Sequence, residues 1–169
     1  FGNLEDSSMN QSVFHRDGKT ATIDVVRQGT ALSIKTNGKP DATLDPVGPE
    51  PTGDDYTMVL AAALPMAYLP DARTVANIGF GSGLTTHMLL ANPNLKSVDT
   101  VEIEPAMVEG ARHFGALVER AYNDPRSTIY IDDAKSFFAG RNSKYDVIVS
   151  EPSNPWVSGV SSLFSDEFY

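Results

Sequence analysis

The feature that most constrains the fold of this chain is a regular alternation of helix-type and strand-type segments after residue 53. Some segments carry apolar residues at helical spacing, whereas others are short runs rich in Val, Ile and Thr. Strands that alternate with helices form right-handed crossovers and a parallel sheet. We therefore expect an α/β domain. The predicted elements, in chain order, are helix 55–64, strand 74–78, helix 83–91, strand 97–102, helix 105–121, strand 127–131, helix 133–139 and strand 145–150.

The preceding part of the chain has a different period. Residues 20–38, TATIDVVRQGTALSIKTNG, alternate apolar and polar side chains around Gln28-Gly29, which predicts a β-hairpin. Residues 39–55 are dense in Pro, Gly and Asp, the composition of a loop, and we expect Asp54 or Asp55 to cap the helix that follows. We place a boundary near residue 53. It divides the chain into a hairpin unit with its linker (1–53) and a partial α/β domain (54–169).

The composition of the chain argues against three classes of partner: nucleic acids, metal ions and membranes. The 169-residue chain has a net charge of −9 and a pI of about 4.6, and such an acidic surface repels phosphate backbones, so we expect no nucleic acid partner. The absence of cysteine and the scatter of His15, His87 and His113 argue against a metal site. The longest apolar stretch, 58–69, is too short to span a bilayer and contains Pro65. We expect a buried helix followed by a turn, no membrane contact by this chain, and a cytoplasmic location.

Three glycines at alternate positions follow the first predicted parallel strand, in the stretch NIGFGSG at 77–83. Ligands of open α/β sheets bind beyond the carboxyl ends of the strands, where this turn lies. Gly79 and Gly81 would permit a tight bend and the close approach of a ligand, and Gly83 would open the next helix with its amides facing the same crevice. The spacing differs from the dinucleotide pattern Gly-x-Gly-x-x-Gly, so a plain glycine turn remains an alternative.

Carboxylates end the second and third predicted strands. Glu102 lies about 20 residues after the glycine turn, the distance at which an acid bonds ribose hydroxyls. Glu104 precedes Pro105 and is interpreted as a first-turn acid of the next helix. After the third strand, Asp132 is either a helix cap or a ligand contact, whereas Asp133 is placed to accept a hydrogen bond from an adenine amino group. A nucleoside is therefore the predicted ligand.

The fourth strand leads into Glu151-Pro152-Ser153-Asn154-Pro155-Trp156, on the same rim of the sheet. Glu151 and Asn154 each precede proline, which holds them extended and fixes where their side chains point. Trp156 is interpreted either as a wall of the pocket or as a core or interface residue.

Together these stretches identify a family resemblance. VANIGFGSG, VDTVEIEPAMVEGARHF, DPRSTIYIDDAKSFF and YDVIVSEPSNPWVSGVSSLFSDEFY resemble the spermidine/spermine synthase (polyamine aminopropyltransferase) family, within the S-adenosylmethionine-dependent methyltransferase-like folds. The resemblance runs from about residue 20 to the end of the chain and is strongest to a divergent, spermidine synthase-like branch. It implies a Rossmann-like fold whose first four parallel strands have the order 3-2-1-4, after a small N-terminal β-unit.

The resemblance also implies roles for the site residues. The turn formed by Gly79, Gly81, Ser82 and Gly83 would hold the methionine-derived part of S-adenosylmethionine or of decarboxylated S-adenosylmethionine, and Glu102 would bind its ribose. The adenine would lie against the run Asp132-Asp133-Ala134. Glu151 would accept the proton of a small-molecule amine acceptor, and no metal is implied.

Four departures from the family pattern lie on the amine side. Ser82 replaces the aspartate of GGGDG, Glu151 and Asn154 replace the two aspartates of TDSSDP, and Thr57-Met58 replaces a Tyr-Gln pair. With Trp156, residues Thr57 and Asn154 form the expected substrate side. Three functions stay open: aminopropyl transfer to an unidentified amine, methyl transfer from intact S-adenosylmethionine to a small molecule, and nucleoside binding without catalysis.

The methyltransferase-like sheet of this family has further strands, which we do not find in the sequence. We therefore expect the chain to be a fragment of a longer protein. We also expect it to associate as a homodimer through strand 145–150 or the segment after it, because an open sheet edge favours pairing.

Overall fold

A computed structural model describes residues 10–141 and 143–150. The N-terminal part is a four-stranded antiparallel sheet with neighbours in chain order. The predicted hairpin forms its centre, with Gln28 opposite Ala31 and Gly29 in the turn at φ +60°. The strands are β1 (Gln11–Asp17), β2 (Thr22–Gln28), β3 (Ala31–Thr36) and β4 (Lys39–Leu44).

Strand β4 corrects the expectation of a loop over 39–55. It pairs with β3, bringing Ala42 opposite Ile34 and Leu44 opposite Leu32. Ala42 and Leu44 are fully buried, so this Pro- and Asp-rich stretch contains a short strand with alternating buried apolar residues. Pro40 is tolerated because β4 is an edge strand of this sheet, where a missing N–H costs little.

The rest of the described chain is a parallel sheet of four strands with helices between them. The strand order is β7-β6-β5-β8, with every pair parallel, and the predicted order 3-2-1-4 is confirmed. The strands are β5 (Thr74–Ile78), β6 (Ser97–Glu102), β7 (Ser127–Ile131) and β8 (Val147–Ser150). The helices are α1 (Gly53–Tyr68), α2 (Leu84–Leu89), α3 (Pro105–Ala111), α4 (Glu119–Asn123) and α5 (Ala134–Ala139).

Helix α1 begins and ends differently from the prediction. Its N-cap is Thr52, whose hydroxyl accepts the Asp55 N–H while the Asp55 carboxylate accepts the Thr52 N–H. This reciprocal capping box makes Asp55 the third helical residue, so the expected cap at Asp54 or Asp55 was wrong. The helix also continues through Pro65 to Tyr68, since a proline near the end of a helix removes only one of its hydrogen bonds.

The long helix predicted over 105–121 is interrupted. A 3₁₀ segment, Arg112–Val118, separates α3 from α4, and within it Gly115 adopts φ +60° and ψ −126°. This conformation lies outside every helical region, which explains why the helix breaks at a residue without a side chain.

One apolar cluster joins the antiparallel sheet to the α/β part. Inward-facing residues of β2, β3 and β4 pack with the glycine turn, with α2 and with α3. Gly110 of α3 lies so close to β1 and β2 that a Cβ atom there would be 3.2 Å from the Phe14 ring. The antiparallel sheet therefore packs against the elements that carry the predicted site, namely the glycine turn, α2 and α3. Members of the cluster include Ile23, Val25, Leu32, Ile34, Ala42, Leu44, Phe80, Leu84, Ala106, Met107 and Phe114.

Candidate functional site

The glycine turn leaves β5 and presents bare backbone at the carboxyl end of the sheet. Gly79, Gly81 and Gly83 have φ of +87°, +52° and +86°, values that residues with side chains rarely adopt. A Cβ atom built at Gly79 or Gly81 would meet nothing within 4 Å among the described residues, so no described side chain covers their backbone. The Phe80 side chain turns the other way and is 3% exposed, packed edge-on against Tyr122 at 5.4 Å.

Glu102 closes β6 beside this turn, as the sequence predicted. Its carboxylate is 7% exposed and accepts the Phe80 N–H at 2.8 Å and the Glu104 N–H at 2.9 Å. Burial raises the pKa of Glu102, and the hydrogen bonds from these backbone amides offset part of that rise. A carboxylate oxygen accepts more than one hydrogen bond, so acceptor positions remain for two hydroxyl donors.

A buried polar network lies beneath the turn around Asn77, which the strand pattern of residues 74–78 does not predict. The side-chain nitrogen of Asn77 lies 3.1 Å from the Gly79 carbonyl oxygen and 3.1 Å from the Thr86 hydroxyl. The Thr86 hydroxyl lies 2.8 Å from that of Thr100 on β6. An asparagine at the end of a parallel strand, directly before a glycine turn, was the only sequence signal for this network.

Glu104 is more than the first-turn acid that its position suggested. It is the N-cap of α3, accepting the Ala106 N–H at 2.9 Å, and it is 3% exposed. It also accepts the Thr20 N–H, the Thr20 hydroxyl and the Ala21 N–H from the turn before β2. Burial alone would raise the pKa of Glu104, but these hydrogen bonds outweigh it and hold the pKa below its ordinary range. The Glu104 carboxylate thus links the turn before β2 of the antiparallel sheet to the start of α3, two residues after Glu102.

The carboxylates after β7 are placed differently from each other. Asp133, not Asp132, is the N-cap of α5: its carboxylate accepts the Ser136 N–H at 2.9 Å, which corrects the expected cap. The Asp132 carboxylate accepts the Asp133 N–H, and both side chains are exposed on the rim. The Asp132 N–H donates to the Glu102 carbonyl at 3.0 Å, which brings this rim beside β6. Ala134 is buried at the first turn of α5.

Residues expected on the substrate side are only partly described. Ser82 is fully buried, and its hydroxyl lies 3.2 Å from the Met58 sulfur, so two of the departures from the family pattern are in contact. Thr57 lies on the exposed side of α1, with its hydroxyl donating to the Gly53 carbonyl at 3.1 Å. Glu151, Asn154 and Trp156 lie outside the described residues. Strand β8 ends at Ser150, whose buried hydroxyl has no hydrogen-bond partner among the described residues.

Within the described ranges, 10–141 and 143–150, no group of three or more His, Asp or Glu side chains is placed to hold a metal ion. No helix in the same ranges is both long and apolar enough to cross a membrane.

Comparison with known sequences identifies relatives of two activities. The family model of the spermine/spermidine synthase domain matches residues 55–169. The polyamine aminopropyltransferase of Alkaliphilus metalliredigens is 34% identical over 106 residues, which cover 63% of this chain and 37% of that protein. Putrescine N-methyltransferase 1 of Nicotiana tabacum is 31% identical over 118 residues, covering 69% of this chain and 31% of that protein. The chain thus spans about a third of the length of these relatives.

Comparison with solved structures identifies the same fold. A spermidine synthase in complex with the transition state analogue AdoDATO superposes with a TM-score of 0.82 at 21% identity, covering 94% of this chain and 52% of that chain. The spermidine synthase of Thermotoga maritima gives 0.78 at 20% identity, with 94% and 51% covered. Strand order, glycine turn, terminal carboxylate and family-model match agree, and the chain belongs to the spermine/spermidine synthase domain family.

Proposed function

We propose that this chain binds decarboxylated S-adenosylmethionine and takes part in transferring its aminopropyl group to a small amine. The observation that carries the proposal is the pairing of a bare glycine turn with the buried carboxylate of Glu102 at the carboxyl ends of adjacent strands. The open backbone at Gly79 and Gly81 fits a ligand that approaches the main chain closely. The acceptor-only carboxylate fits the two hydroxyl donors of a ribose.

The residues of this chain would orient and bind rather than provide a reactive centre. The sulfonium of the co-substrate makes its neighbouring carbon an electrophile: the amine nitrogen bonds to that carbon, the carbon–sulfur bond breaks, and a neutral thioether nucleoside leaves. The protein must align the amine for in-line attack and accept its proton. We assign proton acceptance to Glu151, adenine recognition to Asp132, Asp133 and Ala134, and the acceptor side to Thr57, Asn154 and Trp156.

Methyl transfer from intact S-adenosylmethionine is the second candidate. The similarity to putrescine N-methyltransferases favours it, since that match covers 69% of this chain. The two candidates use the same nucleoside site and differ in the tail of the co-substrate, because only the intact form carries a carboxylate. Non-catalytic nucleoside binding is the third reading.

Product analysis separates the three readings. We would incubate the protein with a panel of primary amines and either co-substrate, and identify the products by mass spectrometry. We expect an acceptor enlarged by an aminopropyl group, together with methylthioadenosine. An acceptor enlarged by a methyl group would favour the second candidate. Tight binding of methylthioadenosine with no product from any amine would favour the non-catalytic reading.

Putrescine should be a poor substrate for this chain. Ser82 and Met58 form a buried contact between a hydroxyl and a thioether where the family resemblance expects an aspartate and a glutamine. With Asn154 in place of another aspartate, less negative charge would be available to fix the two ammonium ends. Steady-state rates with putrescine, with longer diamines and with monoamines test whether putrescine is a poor substrate. Putrescine turnover at the highest rate in the panel would contradict it.

A further inference from the structure

The peptide group that joins Gly79 to Phe80 is held at both ends. Its carbonyl oxygen accepts from the side-chain nitrogen of Asn77 at 3.1 Å, and its N–H donates to the Glu102 carboxylate at 2.8 Å. A peptide group is planar and its C=O and N–H point in opposite directions, so fixing one end aims the other. Gly79 has no side chain and can adopt many backbone conformations, so the orientation of this group depends on its partners.

The orientation of the Asn77 amide follows from its neighbours. A carbonyl oxygen only accepts hydrogen bonds, so the Asn77 nitrogen, not its oxygen, must face Gly79. The second proton of that nitrogen is directed to the Thr86 hydroxyl, which leaves the Thr86 proton for Thr100 at 2.8 Å. Asn77 is 3% exposed and both threonines are fully buried. Because water does not compete there, the two bonds from the Asn77 nitrogen, to the Gly79 carbonyl and to the Thr86 hydroxyl, hold the amide in one orientation.

We infer that Asn77 is a positioning residue for Glu102, acting through the Gly79–Phe80 peptide group. It aims the Phe80 N–H at the carboxylate and so fixes the oxygen that the ribose hydroxyls must reach. The inference rests on the proposed nucleoside site. Neither the glycine turn nor the strand-end acid implies a role for this asparagine.

The pH dependence of nucleoside binding should depend on Asn77. Burial raises the pKa of Glu102, and the Phe80 N–H is among the backbone groups that lower it again. If the peptide group loses its orientation, that opposing contribution is lost and the pKa rises further. As the pH is lowered, affinity for a ribose should then be lost at a higher pH than in the wild-type protein. The Asp41 carboxylate on β4, which also raises the pKa of Glu102, and the Glu104 N–H, which donates to Glu102, are unchanged when Asn77 is replaced.

The test compares Asn77→Leu with Thr100→Val by titration of methylthioadenosine at several pH values. Both replacements keep the side-chain shape and remove buried hydrogen-bonding groups, but only the first frees the Gly79 carbonyl. We expect Asn77→Leu to bind about tenfold more weakly, the effect of one lost buried hydrogen bond, with its acid midpoint moved to higher pH. Thr100→Val should unfold at a lower urea concentration with its acid midpoint unchanged. Equal midpoints in wild-type protein and Asn77→Leu, or the same upward shift in Thr100→Val, would overturn the inference.

A measurement on the unmodified protein decides the case if Asn77→Leu does not fold. The side-chain amide protons of Asn77 should exchange slowly with solvent, and their NMR signals should shift together with that of the Phe80 amide as Glu102 titrates. Exchange at the rate of an exposed amide would overturn the inference. Failure of the wild-type protein to bind methylthioadenosine would overturn the proposed function alone, since this NMR titration needs no ligand.

Discussion

At the scale of single residues, Gly83 of the glycine turn must be a glycine for two separate reasons: its positive φ and the lack of space for a Cβ atom. Gly83 must adopt φ +86°, and a Cβ atom there would also lie 2.9 Å from the Phe80 ring. Gly29, in the hairpin of the antiparallel sheet, has φ +60° but open space around it. The two glycines therefore differ in steric crowding while sharing a positive φ.

Replacing each of these glycines by alanine separates the cost of the positive φ from the cost of the steric crowding. Gly29→Ala should cost about 1–2 kcal/mol of unfolding free energy, the price of the left-handed conformation alone. Gly83→Ala should cost more and should also weaken methylthioadenosine binding, because Phe80 must move and its N–H holds Glu102. Urea unfolding and calorimetric titration measure the two effects. Equal losses of stability in both variants would show that the Phe80 ring yields without cost.

The sequence predicted the glycine turn and Glu102 because both have strong local signals: repeated glycine, and an acid that closes a strand. It did not predict Asn77, since a single polar residue in a short strand does not reveal which carbonyl its amide will meet. It offered Asp132 rather than Asp133 as the helix cap, because adjacent acids at a helix start differ only in backbone geometry.

At the scale of elements, the alternation of strands and helices predicted a parallel sheet with right-handed crossovers, whereas its strand order was an expectation from the family resemblance. The boundaries were less predictable. Strand β4 was not recognised because it contains a proline, which an edge strand tolerates. The helix breaks where Gly115 adopts a non-helical φ and ψ, which the spacing of apolar residues does not reveal. Neither the docking of the antiparallel sheet nor its hydrogen bonds to Glu104 left a local pattern in the sequence, since Thr20 and Glu104 are far apart in the chain.

Glu104→Gln should weaken the attachment of the antiparallel sheet in a pH-dependent way. The pKa of Glu104 is lowered in the folded protein, so its charged form contributes stability above its ordinary pKa, and this contribution is lost as pH falls through the lowered value. The variant should therefore be less stable at neutral pH, by about 1–3 kcal/mol for donors left poorly paired. The difference should shrink on acidification.

Urea unfolding of both proteins from neutral to acidic pH measures this difference. Glu50→Gln is a suitable control, because Glu50 is exposed and lies outside both sheets, whereas Glu109 of α3 forms an ion pair with Arg16 of β1. A stability difference between wild-type protein and Glu104→Gln that stays constant over the whole pH range would contradict the assigned role of the Glu104 charge.

At the scale of the whole molecule, the homodimer stays a prediction. Strand β8 is at one end of the parallel sheet among the described strands, and its Ile148 side chain is 41% exposed. We expect light scattering coupled to gel filtration to give a dimer mass. Ile148→Lys should increase the monomer fraction, because it places a charge on the strand assigned to the interface. Val47→Lys, at a residue 72% exposed outside both sheets, should leave the dimer intact. A monomer mass for the unmodified chain would refute the dimer.

The proposed function depends on Glu102 binding the ribose of an adenosine-type co-substrate at the carboxyl ends of β5 and β6. Calorimetric titration of methylthioadenosine into wild-type protein, Glu102→Ala and Asp132→Ala tests it most directly, with circular dichroism to verify that each variant is folded. Asp132 is the matched control, because it is an exposed carboxylate on the same rim. We predict that Glu102→Ala loses about a hundredfold in affinity, as expected for charge-assisted bonds to two hydroxyls, while Asp132→Ala loses far less. Equal affinities of the two folded variants would contradict the claim.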